Sequence, residues 1–273
     1  MEYLWLLLLG LVVGTFGTLI GAGGGFILMP ILLLAYPARE PAVLTAISLA
    51  VVFFNASSGS CAYAKMRRVD FKSGLLFLTT GVPGAIAGAF VVNYIPRHTF
   101  NLVFGLVMLA AGLFIFFRSP CPDGHEARTR ATFKRTVVEA DGTRHDYAYS
   151  LPVGMAMSFG VGVASSLLGI GGGIIHVPAM VHLLNFPVHI ATATSHFILA
   201  VMALAGTLVH VIDGSLGWEG LPRTLVLGAG AVMGAQIGAQ LSKRVHGRWI
   251  MRSLAAALEL VALRLVILAL YQR

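Results

Sequence analysis

The sequence predicts an all-α fold: a polytopic transmembrane helical bundle built from two homologous, inverted repeats with broken helices. Three observations predict it. Hydrophobic residues make up 57% of the 273 residues and charged residues only 11%, whereas a soluble domain carries about 25% charged residues. Apolar runs near the ~20 residues that span a bilayer recur along the chain. Motifs of the first half also reappear, in the same order, in the second half.

The apolar runs give the expected elements in chain order. Eight long runs each approach the length of a membrane-spanning helix. Two shorter pieces, 26–36 and 174–185, reach only about 17 Å at 1.5 Å per residue, so each covers half of the membrane. The long runs are 4–22, 41–63, 73–92, 99–117, 151–168, 188–212, 222–241 and 249–271.

A polar stretch, 118–150, divides the chain into a first transmembrane repeat, 1–117, and a second, 151–273. Within this loop, Asp141-Gly142 suits a two-residue hairpin turn, because both central residues of such a turn need positive φ. We predict a small β-hairpin on the membrane surface. A linker without regular structure is the alternative, since an isolated hairpin is only marginally stable in water.

The internal repeat is carried by matched motifs of glycine, proline and serine. Their order is the same in both halves, and the offset between matched motifs stays within a few residues. The matching segments are 21–25 with 169–173, Pro30 with Pro178, 46–48 with 193–195, Gly59 with Gly206, and 84–89 with 234–239.

The net charge of +8 indicates membrane topology rather than a nucleic-acid partner. Lys and Arg concentrate in 64–72, 118–150 and 242–252, and few lie in 93–98 or 211–223. The positive-inside rule places the basic segments, including the 118–150 loop, in the cytoplasm. The second half then begins inside and must reach the outside by 211, which requires the short piece 174–185 to reverse the direction of the chain. Each half therefore has five segments, and this odd number inverts the second half relative to the first. With four crossings per half and the short pieces as re-entrant hairpins, the halves would instead be parallel.

Two clusters, 21–25 and 169–173, each contain four glycines in five residues. They predict helix breaks inside the membrane, because each glycine destabilises a helix by about 1 kcal/mol. New helices are expected to begin at Phe26 and Ile174. The first N–H groups of a helix are unsatisfied and its dipole places positive potential there. Two such starts facing each other would form an anion site near the midplane, as in secondary transporters with broken helices. Close helix packing is the alternative, and it fits the four-residue spacing of Gly84, Gly88, Gly234 and Gly238 better.

The candidate substrate-binding residues are the two breaks and the polar side chains near them. Hydroxyl and amide donors suit the oxygens of a small anion, and neutral imidazole donates one hydrogen bond. Hydrogen bonding between helices is the alternative for each polar residue. The candidates are Gly23, Gly24, Gly25, Phe26, Ser48, Asn55, Gly171, Gly172, Gly173, Ile174, His176, Thr194 and Ser195.

Ionisable residues inside the apolar runs are candidates for coupling, here His196 and Glu259. We predict no metal site, because the histidines at 176, 182, 189 and 196 lack the i, i+4 spacing of a helical metal pair. The sequence contains no P-loop, no HExxH motif and no usable pair of carboxylates. It therefore predicts neither an enzyme nor a bound cofactor.

The segments 14–25 and 160–173, with the repeated 46–48, 193–195 and 84–89 motifs, resemble the sulfite exporter family of the TauE/SafE type. The resemblance covers both halves except 118–150. It implies an integral inner-membrane exporter of sulfite or an organosulfonate, whose partners are a small anion and the lipid bilayer. Ile47 stands where the second half has Thr194, so the two half-sites are unequal.

Two rival functions stay open at this point. The first is a metal or other cation transporter that uses the intramembrane histidines, and the second is a membrane partner subunit that transports nothing. The sequence also leaves a homo-oligomer open.

Overall fold

The computed structural model describes residues 2–117, 133–217 and 220–242. The apolar run expected at 249–271 and the candidate Glu259 lie outside the described residues. The described part contains α-helices and one antiparallel β-hairpin. The elements are α1 (Glu2–Ile20), α2 (Gly25–Ala35), α3 (Pro41–Lys65), α4 (Phe71–Val91), α5 (Arg97–Phe117), β1 (Phe133–Val138), β2 (Arg144–Tyr149), α6 (Leu151–Leu168), α7 (Gly173–Leu184), α8 (Val188–Ile212) and α9 (Leu221–Leu241).

Six of the described helices are long and apolar enough to cross a membrane, namely α1, α3, α4, α6, α8 and α9. This confirms the predicted all-α polytopic bundle. The short helices α2 and α7 follow the two glycine clusters, as the sequence predicts. Each begins one residue before the predicted start, at Gly25 and Gly173.

Small residues let two pairs of helices approach until their backbones touch. A Cβ placed on Gly234 of α9 would lie 2.2 Å from the Leu11 carbonyl oxygen of α1, and one on Gly84 of α4 would lie 2.4 Å from the Phe159 carbonyl oxygen of α6. The packing interpretation of these glycines is therefore correct. Each pair joins a helix of the first half to a helix of the second.

The order of these contacts gives the relative directions of the paired helices. Along α1 and α9, Gly234 meets Leu11 and Gly238 meets Thr15, so the two helices run parallel. Along α4 and α6, Gly84 meets Phe159 and Gly88 meets Val163, so these also run parallel.

The long helices α3 and α8 cross the centre of the bundle in opposite directions. A Cβ on Gly59 would meet the His196 ring, whereas one on Gly206 would meet Leu49. Helix α9 runs parallel to α3, because Phe54 lies against Gly228 and the Ser58 hydroxyl donates to the Val232 carbonyl at 2.9 Å. Helix α4 runs parallel to α8, with Asp70 beside Thr194 and Gly74 beside Phe197. Helices α1, α3 and α9 therefore point one way, and α4, α6 and α8 the other.

The predicted hairpin is present, with Phe133 paired to Tyr149 and Val138 to Arg144. Its loop differs from the prediction. Glu139 and Thr143 pair through their backbones, so three residues connect the strands, and among them only Gly142 has a positive φ, of 89°. A three-residue loop with glycine in the left-handed region is the next common hairpin connection.

Candidate functional site

The two breaks share one backbone conformation. Left-handed φ values, which favour glycine because it lacks Cβ, occur at matched positions in both halves. They are 84°, 74° and 80° at Gly21, Gly23 and Gly24, and 66°, 81° and 67° at Gly169, Gly171 and Gly172. The repeated glycine motif therefore encodes a specific turn rather than a generally weak helix.

The two breaks lie against each other in the protein interior. A Cβ on Gly25 would lie 2.7 Å from the Gly169 carbonyl oxygen, and one on Gly173 only 2.2 Å from the Gly21 carbonyl oxygen. Phe26 and Ile174, next in each short helix, are fully buried. The start of each short helix therefore contacts the break of the other half, at 169–170 for α2 and at 21–22 for α7. In this conformation their backbones are in contact, so an anion can enter between them only if they separate.

Neither helix start is capped by a side chain. The N-cap residues are Gly24 and Gly172, without a side-chain hydrogen bond. The Leu28 and His176 N–H groups donate to the carbonyls of these two glycines, at 3.1 and 2.8 Å. The N–H groups at the very start of a helix have no intrahelical acceptor and lie at the positive end of its dipole. Each break can therefore offer donors to an anion.

The matched serines bind the breaks directly. The Ser48 hydroxyl donates to the Gly169 carbonyl at 2.5 Å, and the Ser195 hydroxyl donates to the Gly21 carbonyl at 3.4 Å. Each serine thus reaches from one half to the break of the other half. Because a hydroxyl carries one proton, neither serine has a donor left for an anion in this conformation.

Two further polar residues near the breaks, Thr45 and Thr192, lie one helical turn before these serines. Thr45 contacts Gly169 and Thr192 contacts Gly21. Both side chains are buried, and neither hydroxyl has a hydrogen-bond partner within the described part of the chain. Their common spacing, three residues before the matched serines, is the sequence signal that indicates them.

A polar cluster surrounds the last turn of α1, next to the first break. The Thr18 hydroxyl lies 2.9 Å from Asn55 Oδ1 and 3.2 Å from His196 Nε2, and the Tyr63 hydroxyl donates to the Thr18 carbonyl at 2.8 Å. Asn55 Nδ2 and His196 Nδ1 are buried and lack partners among the described residues. The structure thus brings Asn55 and His196 together through Thr18 and Tyr63, which sequence reasoning missed.

Two candidates lie apart from the contact between the breaks. The His176 ring packs edge-on against Phe77, 6.3 Å between centroids, and Thr194 Oγ1 accepts the Asp70 N–H at 2.9 Å. Both lie toward the end of the bundle that carries the hairpin.

Within the described ranges, no three His, Cys, Asp or Glu residues group as metal ligands.

Cavities open at both ends of the bundle. One of about 430 Å³ lies between α1, α2, α3 and α9, and its lining includes Tyr36, Arg39 and Arg223. The lining of this cavity also includes Leu44, which is next to Thr45, and Ile47, which is next to Ser48. The other, of about 490 Å³, lies beside the hairpin loop between the last turns of α3 and α9. Neither cavity is lined by a residue of the breaks.

The comparisons with known proteins agree with this architecture. A family model described as "Sulfite exporter TauE/SafE" matches residues 6–265. The chain is 33% identical over 272 residues to "Probable membrane transporter protein YunE" of Bacillus subtilis (strain 168), which covers 97% of this chain and 98% of the relative. It is 23% identical over 272 residues to a "Probable membrane transporter protein" of Methanocaldococcus jannaschii, covering 94% and 93%. No solved structure gives a significant match.

These relatives are named as membrane transporters rather than enzymes, as the sequence predicts. The family match spans both halves and both breaks, including every described residue of the candidate site. The chain therefore belongs to the sulfite exporter TauE/SafE family of membrane transporters.

Proposed function

We propose that the protein is a secondary transporter that exports a small sulfur-containing anion, sulfite or an organosulfonate. One observation carries the proposal: two matched helix starts, both uncapped and both set by left-handed glycines, each contact the break of the other half inside the bundle. Their N–H groups and dipoles favour an anion without a lysine or arginine. The description of the matching family, a sulfite exporter, supports the same substrate class.

In this proposal the anion lies at the two breaks. Its donors come from the backbone N–H groups of 24–26 and of 171, 172 and 174, because the Gly23 and Gly173 N–H groups already donate to the Gly17 and Gly171 carbonyls at 3.1 and 2.8 Å. Ser48 and Ser195 position the breaks through their bonds to carbonyls. Asn55 and His196 form a polar route next to the first break. His176 and Thr194 lie between the breaks and the hairpin end, where they would meet an anion as it enters or leaves.

We also propose that the two halves are inverted. The helix directions support this, because α1 is opposed to its counterpart α6, α3 to α8, and α4 to α9. Inversion places both breaks near the midplane and makes the two sides of the membrane structurally equivalent, which is the usual basis of alternating access.

The charges support a cytoplasmic position for the hairpin end in the plasma membrane. The basic 64–72 loop and the hairpin lie at the same end of the bundle, joined by the Arg68–Glu139 ion pair at 2.5 Å. The opposite end contains 36–40, 92–97 and 213–217, with Asn93 bonded to Asp213 at 2.8 Å. The positive-inside rule then orients the basic end inward.

The direct test is flux of radiolabelled sulfite in proteoliposomes, competed by sulfonates. We expect saturable flux that is lost in Gly172→Ala and kept in Gly160→Ala, because a Cβ at Gly160 meets nothing within 4 Å. Flux of a divalent metal ion that disappears in His196→Ala would instead favour a cation transporter. Absence of saturable flux for sulfite and sulfonates would contradict the proposal.

A further inference from the structure

We propose that Thr45 and Thr192 are anion-binding residues, each donating its hydroxyl proton to an oxyanion held at one break. This inference rests on the proposed function, since it needs an anion at the breaks. It adds two side-chain donors to a site otherwise formed by backbone.

Both threonine hydroxyls are buried and unpaired within the described part of the chain. Thr45 and Thr192 are 0% and 1% exposed, and neither hydroxyl has a partner among the described residues. A buried polar group without a hydrogen bond destabilises the fold, and native proteins seldom keep one without a reason. Here the same unpaired group occurs at matched positions in both halves, which favours a shared ligand.

The two threonines lie at equivalent positions next to the breaks. Gly169, which Thr45 contacts, is also the residue against which α2 starts at Gly25. The same relation holds in the other half, where Gly21 contacts Thr192 and the start of α7 at Gly173. Each threonine therefore lies beside the glycine that one uncapped helix start contacts. The threonine atoms nearest that glycine are carbons, so rotation about χ1 would turn the hydroxyl toward an anion that the backbone N–H groups also bind.

Each of these half-sites contains residues of both repeats. Thr45 on α3 lies beside Gly169 of the second half, and Thr192 on α8 lies beside Gly21 of the first. An anion bound there must change its contacts when α3 and α8 move relative to each other. Substrate binding would thereby be coupled to the rearrangement that alternating access requires.

The test replaces each threonine by valine, which keeps the shape and removes the hydroxyl. We expect the KM for sulfite flux to rise about tenfold or more, as for a lost hydrogen bond to a charged ligand. The thermal midpoint of the ligand-free protein should stay unchanged or rise, because the removed hydroxyl has no partner. Serine at the same positions should restore the KM.

Thr224→Val is the matched control, because the Thr224 hydroxyl is also buried but donates to the Gly220 carbonyl at 2.9 Å. It should lower the thermal midpoint and leave the KM unchanged. Wild-type flux with an unchanged KM in both valine variants would overturn this inference alone. No saturable wild-type flux would overturn the proposed function and this inference with it.

A second and independent observation concerns the hairpin. We propose that the β1–β2 hairpin is a clamp that closes its end of the bundle and must detach before substrate passes there. Asp70, the N-cap of α4, is the anchor: Arg135 donates to its carboxylate at 2.6 and 3.0 Å, and the Tyr147 hydroxyl at 2.7 Å.

The hairpin also contacts the second half of the protein. The Tyr147 and Tyr149 rings pack on Phe186, in the connection between α7 and α8, with centroids 4.5 and 5.2 Å apart. Phe77 of α4 joins the same aromatic group, 5.6 Å from Tyr149. The hairpin therefore holds α4 of the first half and the α7–α8 connection of the second half in one fixed arrangement.

The opposite end of the bundle is filled differently. In the repeat, Phe77 corresponds to Leu227, and Leu227 lines the cavity of about 430 Å³ instead of packing under an aromatic group. The aromatic group thus fills the hairpin end between α4 and the α7–α8 connection, while the cavity of about 490 Å³ at that end lies elsewhere, beside the last turns of α3 and α9.

The clamp is tested by crosslinking in a background with Cys61→Ser and Cys121→Ser. Cysteines at Tyr147 and Phe186, joined by a short bifunctional thiosulfonate, should reduce sulfite flux at least tenfold, and reduction should restore it. The control joins cysteines at Lys134 and Ala148, which pair across the hairpin, and should leave flux unchanged. Full flux with the Tyr147–Phe186 link closed would overturn the clamp, whereas no saturable flux in the wild-type protein would overturn the proposed function.

Discussion

At the scale of single residues, glycines with left-handed φ explain most of the recognisable sequence pattern. The clusters predicted where the helices break, and the structure shows why four of five residues are glycine. Three positions in each break have φ between 66° and 84°, and the fourth, Gly25 or Gly173, lies too close to a carbonyl oxygen of the other break for a Cβ. The pairing of Ser48 and Ser195 with carbonyls was not predictable. It depends on the distance between segments more than 120 residues apart, which local pattern does not encode.

The same substitution should have opposite effects on stability at two glycines of the second half. Gly172→Ala should lower the free energy of unfolding by at least about 1–2 kcal/mol, because alanine at φ 67° is strained and its Cβ would lie 2.8 Å from Ser165 Cβ. Gly160→Ala should raise it by about 0.5–1 kcal/mol, since that site is helical and unobstructed. Thermal denaturation in detergent measures both, and equal shifts would contradict the account.

Asp70 gives a prediction about pH. Burial alone would raise the pKa of its carboxyl, but hydrogen bonds from Arg135, Ser73 and Tyr147 outweigh burial and hold the pKa below its usual value. A carboxyl whose pKa is lowered by folding stabilises the folded state above its unfolded pKa and loses that contribution as pH falls through the folded value. Hairpin docking should therefore weaken below about pH 4.

Asp70→Asn should remove this acid-dependent step and weaken docking by about 2 kcal/mol at neutral pH. Hydrogen exchange of residues 133–149 reports docking directly. Asp146→Asn is the control, because Asp146 pairs with Arg144 on the exposed side of the hairpin and such pairs contribute little. Equal exchange in wild type and Asp70→Asn at pH 7 would show that Asp70 is not the anchor.

At the scale of elements, the sequence predicted the helices but not their partners. The four-residue glycine spacing identified packing faces on α4 and α9, and the structure adds that these faces meet α6 and α1, from the other half. The sequence predicted the hairpin and the glycine in its turn, but it did not predict which helices the hairpin contacts. Tyr147 and Tyr149 share one face of β2 by strand alternation, but only the fold brings Phe186 beneath them.

The close backbone contact between α4 and α6, here called the seam, should be sensitive to added side-chain volume. Gly84→Val should destabilise the protein by about 1–3 kcal/mol or more, because the new Cβ would lie 2.4 Å from the Phe159 carbonyl oxygen. Ala87→Val, on an exposed face of the same helix, should change stability by less than about 0.5 kcal/mol. Comparable destabilisation by the two valines in detergent denaturation would argue against a tight seam.

At the scale of the whole molecule, the internal repeat predicted two breaks that face each other, and the structure places them in contact. The sequence could not predict that they touch without a space between them. Neither could it predict that aromatic side chains of the hairpin fill the space between α4 and the α7–α8 connection, while the corresponding position at the other end lines a cavity. These features depend on how the halves are arranged in one conformation, whereas the motifs are the same in every conformation.

The central claim is that the uncapped starts of α2 and α7 hold the anion. The most direct measurement is a structure of the protein with selenite, the heavier analogue of sulfite, located by the anomalous signal of selenium. We predict selenium at the helix starts, beside Gly25 and Thr45 or beside Gly173 and Thr192, with the selenite oxygens within hydrogen-bonding distance of the backbone N–H groups. Selenium found instead near Arg39 and Arg223, or absent from both breaks at saturating selenite, would contradict the account.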